Sequence, residues 1–389
     1  MVGPVTSEAV AQLLLQMVAI PSINPDYRRD EPADWFGEAR LAHFVGEWLV
    51  QAGATVDLHE VEPGRPNVVA RIGMGQGRRM IWEGHLDTVQ VSGMTVAPFT
   101  PVLSDGRLYG RGAVDDKGCL AMFMLAMQAL AEKGCGLDLT FLAAVDEETN
   151  FKGVSHHIAR TEPYDFGIAG EPTSLRIVTA CKGVVRWRVT VEGRAAHTAT
   201  PERGIDAGAI AIGLIGALND FVVQNAHTHP LLGAPTLTCT RFVAGEGFNT
   251  VPGRAELIFD YRVLPDRTGP EAWEDLHTVA ERFAATLPPG ARIDMEAPFV
   301  DSISMEVPGE DPIVGILQET SRAFGQSDAI VGVPFGSDAT KLTRAGTPTV
   351  VFGPGSIEQA HTADEFVMVD EVALAANMLI EAVRIAARS

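Results

Sequence analysis

The sequence predicts an α/β fold, a mixed, mostly parallel sheet sandwiched by helices, with a smaller α+β domain inserted into it. Three observations predict it. Strand-like and helix-like patterns alternate through the first part of the chain. Nearly continuous apolar runs at 139–145, 166–169 and 347–352 fit strands buried on both faces, as parallel strands are. Near Lys182 the pattern changes to the order β-α-β-β-α-β, the split unit of ferredoxin-like domains, and the α/β pattern resumes at about residue 298. The expected division is 1–181 with 298–389 for the main domain and 182–297 for the insert.

Taken in order, 10–18 and 39–52 read as amphipathic helices, and 67–72 and 80–83 as strands. Gly73-Met-Gly-Gln-Gly77 resembles a dinucleotide loop, but a strand pattern follows it rather than a helix, so a hairpin turn is expected. Leu120, Phe123, Met124, Met127 and Leu130 keep a 3.6-residue period over 118–133, and Gly134 stops that helix. In the insert, Val185, Trp187, Val189 and Val191 alternate with Arg186, Arg188 and Thr190, a strand with one solvated face. A helix over 205–222, strands over 235–244 and 254–264, a helix over 270–286 and a strand over 291–297 complete it. A four-stranded open sheet leaves edges to be covered, and pairing across a two-fold axis predicts a homodimer through this domain.

Composition narrows the partners. The 389 residues carry 30 basic and 50 acidic side chains, a net charge of −20, which argues against nucleic acid and anionic membranes. Cys119, Cys135, Cys181 and Cys239 have no metal-binding spacing and read as free thiols of a reducing compartment. The N-terminus lacks the pattern of a signal peptide, and no apolar run is expected to span a membrane. The expectation is a soluble cytoplasmic protein. Arg28-Arg29-Asp30-Glu31 reads as a solvated surface turn without a role.

The chemistry gathers at strand ends, where open α/β sheets place their ligands. His85 and Asp87 follow the strand at Met80, on one face of the extended backbone, where a carboxylate can hold the second nitrogen of a ligand histidine. Asp146-Glu147-Glu148 follows Val145, Glu171 follows the strand at Phe166, and His361 lies in the loop after Phe352. Asp115 and Asp116 precede the helix at Gly118. Each has a plainer reading: a helix cap for the aspartates, a solvated turn for 146–148, a helix start for Glu171, a surface histidine for His361. Jointly, histidines and carboxylates without thiolates suit an open catalytic site for zinc or a similar ion. The number of carboxylates suggests two divalent ions about 3.5–4 Å apart.

These residues carry a family resemblance. Gly84-His-Leu-Asp-Thr-Val89, Tyr109-Gly-Arg-Gly-Ala-Val-Asp-Asp-Lys-Gly118, Asp146-Glu-Glu148, Ala169-Gly-Glu-Pro172, Ala196-His197, Asn249-Thr-Val-Pro252, Asp260-Tyr-Arg262 and Ala360-His-Thr-Ala-Asp-Glu365 run in order across nearly the whole chain. As a set they resemble the dinuclear zinc amidohydrolases and peptidases that include acetylornithine deacetylase, succinyl-diaminopimelate desuccinylase, aminoacylase and glutamate carboxypeptidase. The resemblance implies a zinc-peptidase-like fold whose inserted domain serves dimerisation and as a lid. It implies that His85 and Glu171 hold one metal, Glu148 and His361 the other, and Asp115 bridges, with a cis peptide to Asp116 allowed. Asp87 then orients His85, and Glu147 is the general acid/base. His197 polarises the substrate carbonyl, from the partner subunit, while Asn249 and Arg262 bind a substrate carboxylate. For Arg262 an ordinary salt bridge with Asp260 or Asp266 stays open.

The implied reaction is hydrolysis of the amide bond of an N-acyl amino acid or related small carboxylate. An aromatic or xenobiotic amide or amine, or a small dipeptide, remains an alternative substrate. Zinc is the first expectation for the metal, with cobalt or manganese as alternatives. No Gly-x-Ser-x-Gly elbow supports a serine hydrolase; Phe335-Gly-Ser-Asp338 is a partial look-alike. A non-catalytic dimer that kept the fold would be expected to lack Glu147 or a ligand, and none is lacking.

Overall fold

The structure is a computed structural model, and it describes residues 3–27, 31–75 and 77–388. Of the mixed-charge cluster, Arg28, Arg29 and Asp30 lie outside these residues, as does Gln76 of the glycine-rich segment. The chain divides into two compact units: 1–179 with 307–331 and 337–389, and 180–306 with 332–336.

The first unit is built on one mixed sheet. Its strands run in the order Thr55–Glu62, Arg65–Ile72, Asp138–Ala144, Arg79–His85, Phe166–Ala169, Thr349–Val351, Ile177–Cys181. The middle of the sheet is parallel: Arg79–His85 pairs in parallel with both Asp138–Ala144 and Phe166–Ala169, and Thr349–Val351 pairs in parallel with the latter. The glycine-rich segment is therefore not a hairpin turn. Asp138–Ala144 lies between the two strands that flank it and pairs with each. Its apolar side chains need cover on both faces and take the central place, a preference that 73–77 cannot signal locally.

Alternation along these strands sorts side chains to two faces. Val68, Ala70, Met80, Trp82, Phe141, Ala143 and Ile168 join the larger core, with the helices Ser7–Val18, Ala39–Gln51, Lys117–Lys133, Pro312–Ala323 and Val369–Ala386. Val69, Ile81, Leu142 and Ala144 face the other way, against Val154 and Leu342 of the short helices Lys152–Ile158 and Ala339–Arg344. Trp82 stacks on Phe123 and Phe123 meets Phe141 at a tilt, with centroids 5.5 and 5.4 Å apart. A Cβ added at Gly153 would strike the main-chain N and O of Val145. Gly153→Ala is expected to cost about 1–3 kcal/mol, read as a lower melting temperature, because backbone yields less readily than a side chain.

The second unit has an antiparallel sheet in the order Thr236–Ala244, Arg254–Val263, Gly183–Glu192, Arg292–Met295, with Val300–Ser302 also pairing along Gly183–Glu192. The helices Ala207–Asn225 and Gly269–Ala284 cover one face, closing a core of Val185, Trp187, Val189, Val191, Leu214, Leu218, Leu257, Phe259 and Leu276. Asp206 caps the first helix and a Thr268–Glu271 capping box starts the second. Among the described residues Ala207–Asn225 is long and apolar enough, by length and composition, to cross a membrane, which corrects the expectation that no such run exists. One stripe of it (Ala207, Ala211, Leu214, Leu218 and Val222) is buried in this unit, while Ile212 and Val223 remain exposed.

Candidate metal centre

Five segments of the first unit meet near the carboxyl ends of its parallel strands. His85 closes Arg79–His85 and is buried. Its Nδ1 lies 3.0 Å from the main-chain carbonyl of Asp87 and 3.6 Å from the Asp87 carboxylate, so the ring is held more closely by the carbonyl than by the carboxylate anticipated for it. The Asp87 carboxylate instead accepts the main-chain N–H groups of Glu147 and Glu148, each at 3.1 Å. Asp115 sits before the helix Lys117–Lys133; the Asp115–Asp116 peptide is cis, and Asp116 Oδ2 accepts the His85 main-chain N–H at 3.0 Å. Glu147 and Glu148 follow Asp146, whose φ of +68° lies in the left-handed region. His361 is another such residue, at φ +61°. Strained backbone of this kind persists where surrounding contacts over-determine it, often at functional sites.

These side chains form two donor sets with one member in common. One ligand atom from each of His85, Asp115 and Glu171 falls within 4.8 Å of the others, and the same holds for Asp115, Glu148 and His361. His85 Nε2 is 2.9 Å from Asp115 Oδ1. His361 Nε2 is 3.1 Å from Asp115 Oδ2 and 3.1 Å from Glu148 Oε1. Glu147 lies beside Glu148 and belongs to neither set.

The donor chemistry fits divalent cations. His85 Nδ1 faces a carbonyl, which only accepts, so Nδ1 carries a proton and a neutral ring turns its Nε2 lone pair toward the Asp115 carboxylate. Two acceptors at that distance need either a second ring proton or a cation between them. Burial pushes the Glu171 carboxyl well above the usual carboxylate range, and Asp115 and Glu147 add to the shift. Burial does the same to Glu147. Burial opposes ionisation of Asp115 too, but His361 and His85 beside it hold its carboxyl well below the usual range. Burial alone would lower His361, yet Asp115 and Glu148 push it up to about 10.

A pH dependence follows for metal-free protein. Glu147, Glu148 and Glu171 have raised folded pKa values, so their stability contribution is full below the ordinary carboxylate range and is lost as pH rises through the raised values. His361 acts in the same sense up to about 10. Asp115 and Asp87, both lowered, contribute the other way and lose their share only in acid. With a chelator present, the melting temperature is expected to fall between pH 5 and pH 8, and added divalent ion to raise it most at pH 8, since ion uptake displaces protons. A chelated protein with a flat or rising profile would contradict this.

The second unit holds the remaining candidates. His197 and Thr250 are paired partners in a short two-stranded ladder, and Asn249 precedes Thr250, its carbonyl accepting the Thr198 N–H at 3.0 Å. His197 Nδ1 accepts the Ala199 N–H at 3.0 Å, so a neutral ring carries its proton on Nε2. Arg262 donates through Nε to Asp260 at 2.8 Å and through Nη1 to the Pro334 carbonyl at 3.1 Å, the ordinary salt bridge left open by the sequence.

Fold and donor sets together have the form of a metal centre, and the comparisons with known proteins make the chain a metallopeptidase or amidohydrolase of a known family. The sequence profile of peptidase family M20/M25/M40 matches residues 81–385, and the chain belongs to that family. It is similar to an acetylornithine deacetylase of Proteus mirabilis, 31% identical over 92% of this chain and 91% of the relative. It is also similar to one of Vibrio vulnificus, 32% identical over 90% and 92%. Among solved structures it resembles a tripeptidase of Staphylococcus aureus, with a TM-score of 0.83, 23% identity and both chains fully covered. A dinuclear metal-binding M20 peptidase of Bacillus subtilis gives a TM-score of 0.72 at 17% identity, with 98% of each chain covered.

Sequence reasoning overlooked several residues around the centre. Glu365 accepts the main-chain N–H groups of Val114 and Asp115, at 3.0 and 3.3 Å, and pairs with Arg111. Asn24 donates to Asp87 and to Asp146, at 2.8 and 3.0 Å. The signal for Glu365 was its place in the same motif as His361. Asn24, in Ser22-Ile-Asn-Pro25, had only its polar character in an N-terminal loop.

Proposed function

We propose that this protein hydrolyses the amide bond of an N-acyl amino acid, using zinc in the cell, with His85, Asp115 and Glu171 as one ligand set and Asp115, Glu148 and His361 as the other. The observation that carries the reading is the pair of donor sets sharing Asp115, with Glu147 beside them and outside both. The acyl-amino-acid substrate is favoured by the acetylornithine deacetylases at 31–32% identity over most of each chain.

Two divalent ions held by these donor sets would supply water ionised near neutral pH and a Lewis acid for the carbonyl. The protein's own groups do the rest. Glu147 takes the proton of the attacking water and returns it to the leaving nitrogen. A carboxyl pushed up by burial suits a group that must both receive and release a proton. Asp87 fixes the Glu147 and Glu148 main chain through its two oxygens. His197 donates its Nε2 proton to the developing oxyanion. Asn249 and Arg262 hold the substrate carboxylate, Arg262 with two donors already engaged.

We further assign the protein as a homodimer that pairs through the second unit. Thr236–Ala244 is an edge strand there, with Phe242 and Val243 exposed, as are Ile212 and Val223 on Ala207–Asn225. The free thiols of Cys119, Cys135 and Cys239 agree with a reducing, cytoplasmic setting.

Release of free amine from a panel of N-acyl amino acids and dipeptides by metal-loaded enzyme tests the reaction. Turnover of the acyl amino acids, abolished by a chelator and restored by zinc, is the expected outcome; activity on dipeptides alone would replace the substrate reading. Mixing His197→Ala with Glu147→Ala protomers is expected to restore part of the activity if His197 acts across the dimer. No recovery after proven subunit exchange would remove that role.

A further inference from the structure

We propose that Asn24 is a positioning residue for the metal centre: its side-chain amide bridges Asp87 and Asp146 and so fixes the two strand-end segments that present His85 and Glu147–Glu148. The inference rests on the metal-centre assignment above and adds a residue that coordinates nothing itself.

Asn24 is fully buried in the N-terminal loop. Its Nδ2 donates its two protons to Asp87 Oδ2 at 2.8 Å and Asp146 Oδ1 at 3.0 Å, with Thr149 Oγ1 3.1 Å away. Its own orientation is set from both ends. Oδ1 accepts the Asp26 N–H at 3.0 Å, and the main-chain N–H donates to the Thr88 carbonyl at 2.9 Å. Thr88 in turn donates to Ser22, so the loop is laced to the segment that follows Asp87.

The amide separates two buried carboxylates, neither of which touches solvent. Without a donor between them, Asp87 and Asp146 would repel at short range in a medium that screens poorly. Asp146 Oδ1 also accepts from Thr149 Oγ1 at 2.7 Å and from Arg65 at 3.0 Å, and Arg65 is itself held by Glu38 through its Nε at 2.9 Å. The network therefore has a cation at its far end and an amide at the near one.

Its geometric consequence lies in Asp87. The two oxygens of that carboxylate each hold one main-chain N–H of the Glu147–Glu148 pair, while the Asp87 carbonyl holds His85. A rotated Asp87 carboxylate would release the strand-end turn that places a ligand and the general base. Partners of this kind, one layer outside the ligands, are worth about 10–100-fold in metal affinity or activity.

The test uses Asn24→Ala, Asn24→Ser and Asn24→Asp in the full chain. Cobalt(II) is titrated calorimetrically into metal-free protein, and its visible absorption is followed. With zinc saturating, kcat and KM are measured alongside melting temperature. Asn24→Ala is expected to weaken cobalt binding by about 10–100-fold, to alter the absorption bands and to lower kcat by a similar factor, with KM within about threefold. Asn24→Ser keeps one donor and is expected to fall between. Asn24→Asp keeps the shape but turns both donors into acceptors, so it is expected to do no better than alanine.

A role confined to packing predicts the reverse order, with the isosteric aspartate near wild type and only the melting temperature moved; that result overturns the inference. Should Asn24→Ala fail to fold, the serine and aspartate variants decide by the same measurements. Wild-type protein that takes up no cobalt would overturn the metal-centre assignment and this inference with it. Normal uptake by wild type and all variants, with equal kcat, overturns the inference alone.

Discussion

Replacing Glu147 by glutamine is expected to lower kcat by about two to four orders of magnitude, the range a positioned proton-transfer group contributes. The substitution is nearly isosteric. It leaves the Glu147 main-chain N–H on Asp87 Oδ1 and both donor sets untouched. On the proposed mechanism it removes only the capacity to take a proton from water and hand it to nitrogen. The protein should keep its full complement of metal, its fold and a KM within a few-fold of wild type. Steady-state kinetics beside metal analysis check this. Turnover within threefold of wild type, with metal bound, would show that the proton travels by another group.

Asp115→Ala is expected to empty both metal positions at once and to abolish activity. Asp115 belongs to each donor set, and each of its oxygens faces a different histidine. Protein-held zinc is worth on the order of 10–16 kcal/mol at a four-ligand site, so one ligand is worth on the order of 3 kcal/mol to each ion, about a hundredfold in affinity. His361→Ala touches one set only, and there the other ion is expected to stay. The diagnostic quantity is the number of ions retained after dialysis: none for Asp115→Ala, one for His361→Ala, two for the parent. Two ions on Asp115→Ala protein would end the shared-ligand assignment.

Much of this centre could be read from residue types at strand ends. His85, Glu148 and Glu171 each stand just past an apolar run that makes a parallel strand, where periodicity and chemistry agree. The order of the insert was also legible, because Val185 to Val191 alternate and the flanking helices carry their own caps. What failed was non-local. Residues 73–77 look like a hairpin because the strand that separates their neighbours is 138–144, far along the chain. The apolar character of Ala207–Asn225 was underrated because Asn219 and Asp220 interrupt its composition without interrupting the helix. The Arg262 guanidinium meets Asp260, two residues away on its own strand, a pairing the sequence kept open as the lesser alternative to substrate binding. Asn24 was invisible for a different reason: an amide has no chemical signature until the two acids it joins are brought to it.

The spacing of the ligands along the chain has a consequence for biosynthesis. The first set, His85, Asp115 and Glu171, is encoded in full once residue 171 has been made, and so are its strands Arg79–His85, Asp138–Ala144 and Phe166–Ala169. The second set waits for His361, which is 361 − 171 = 190 residues further on. At about 5–20 residues per second, roughly 10–40 s separate the synthesis of the first set from that of His361. The donors of the two sets therefore leave the ribosome in two stages, and the shared Asp115 is made with the first.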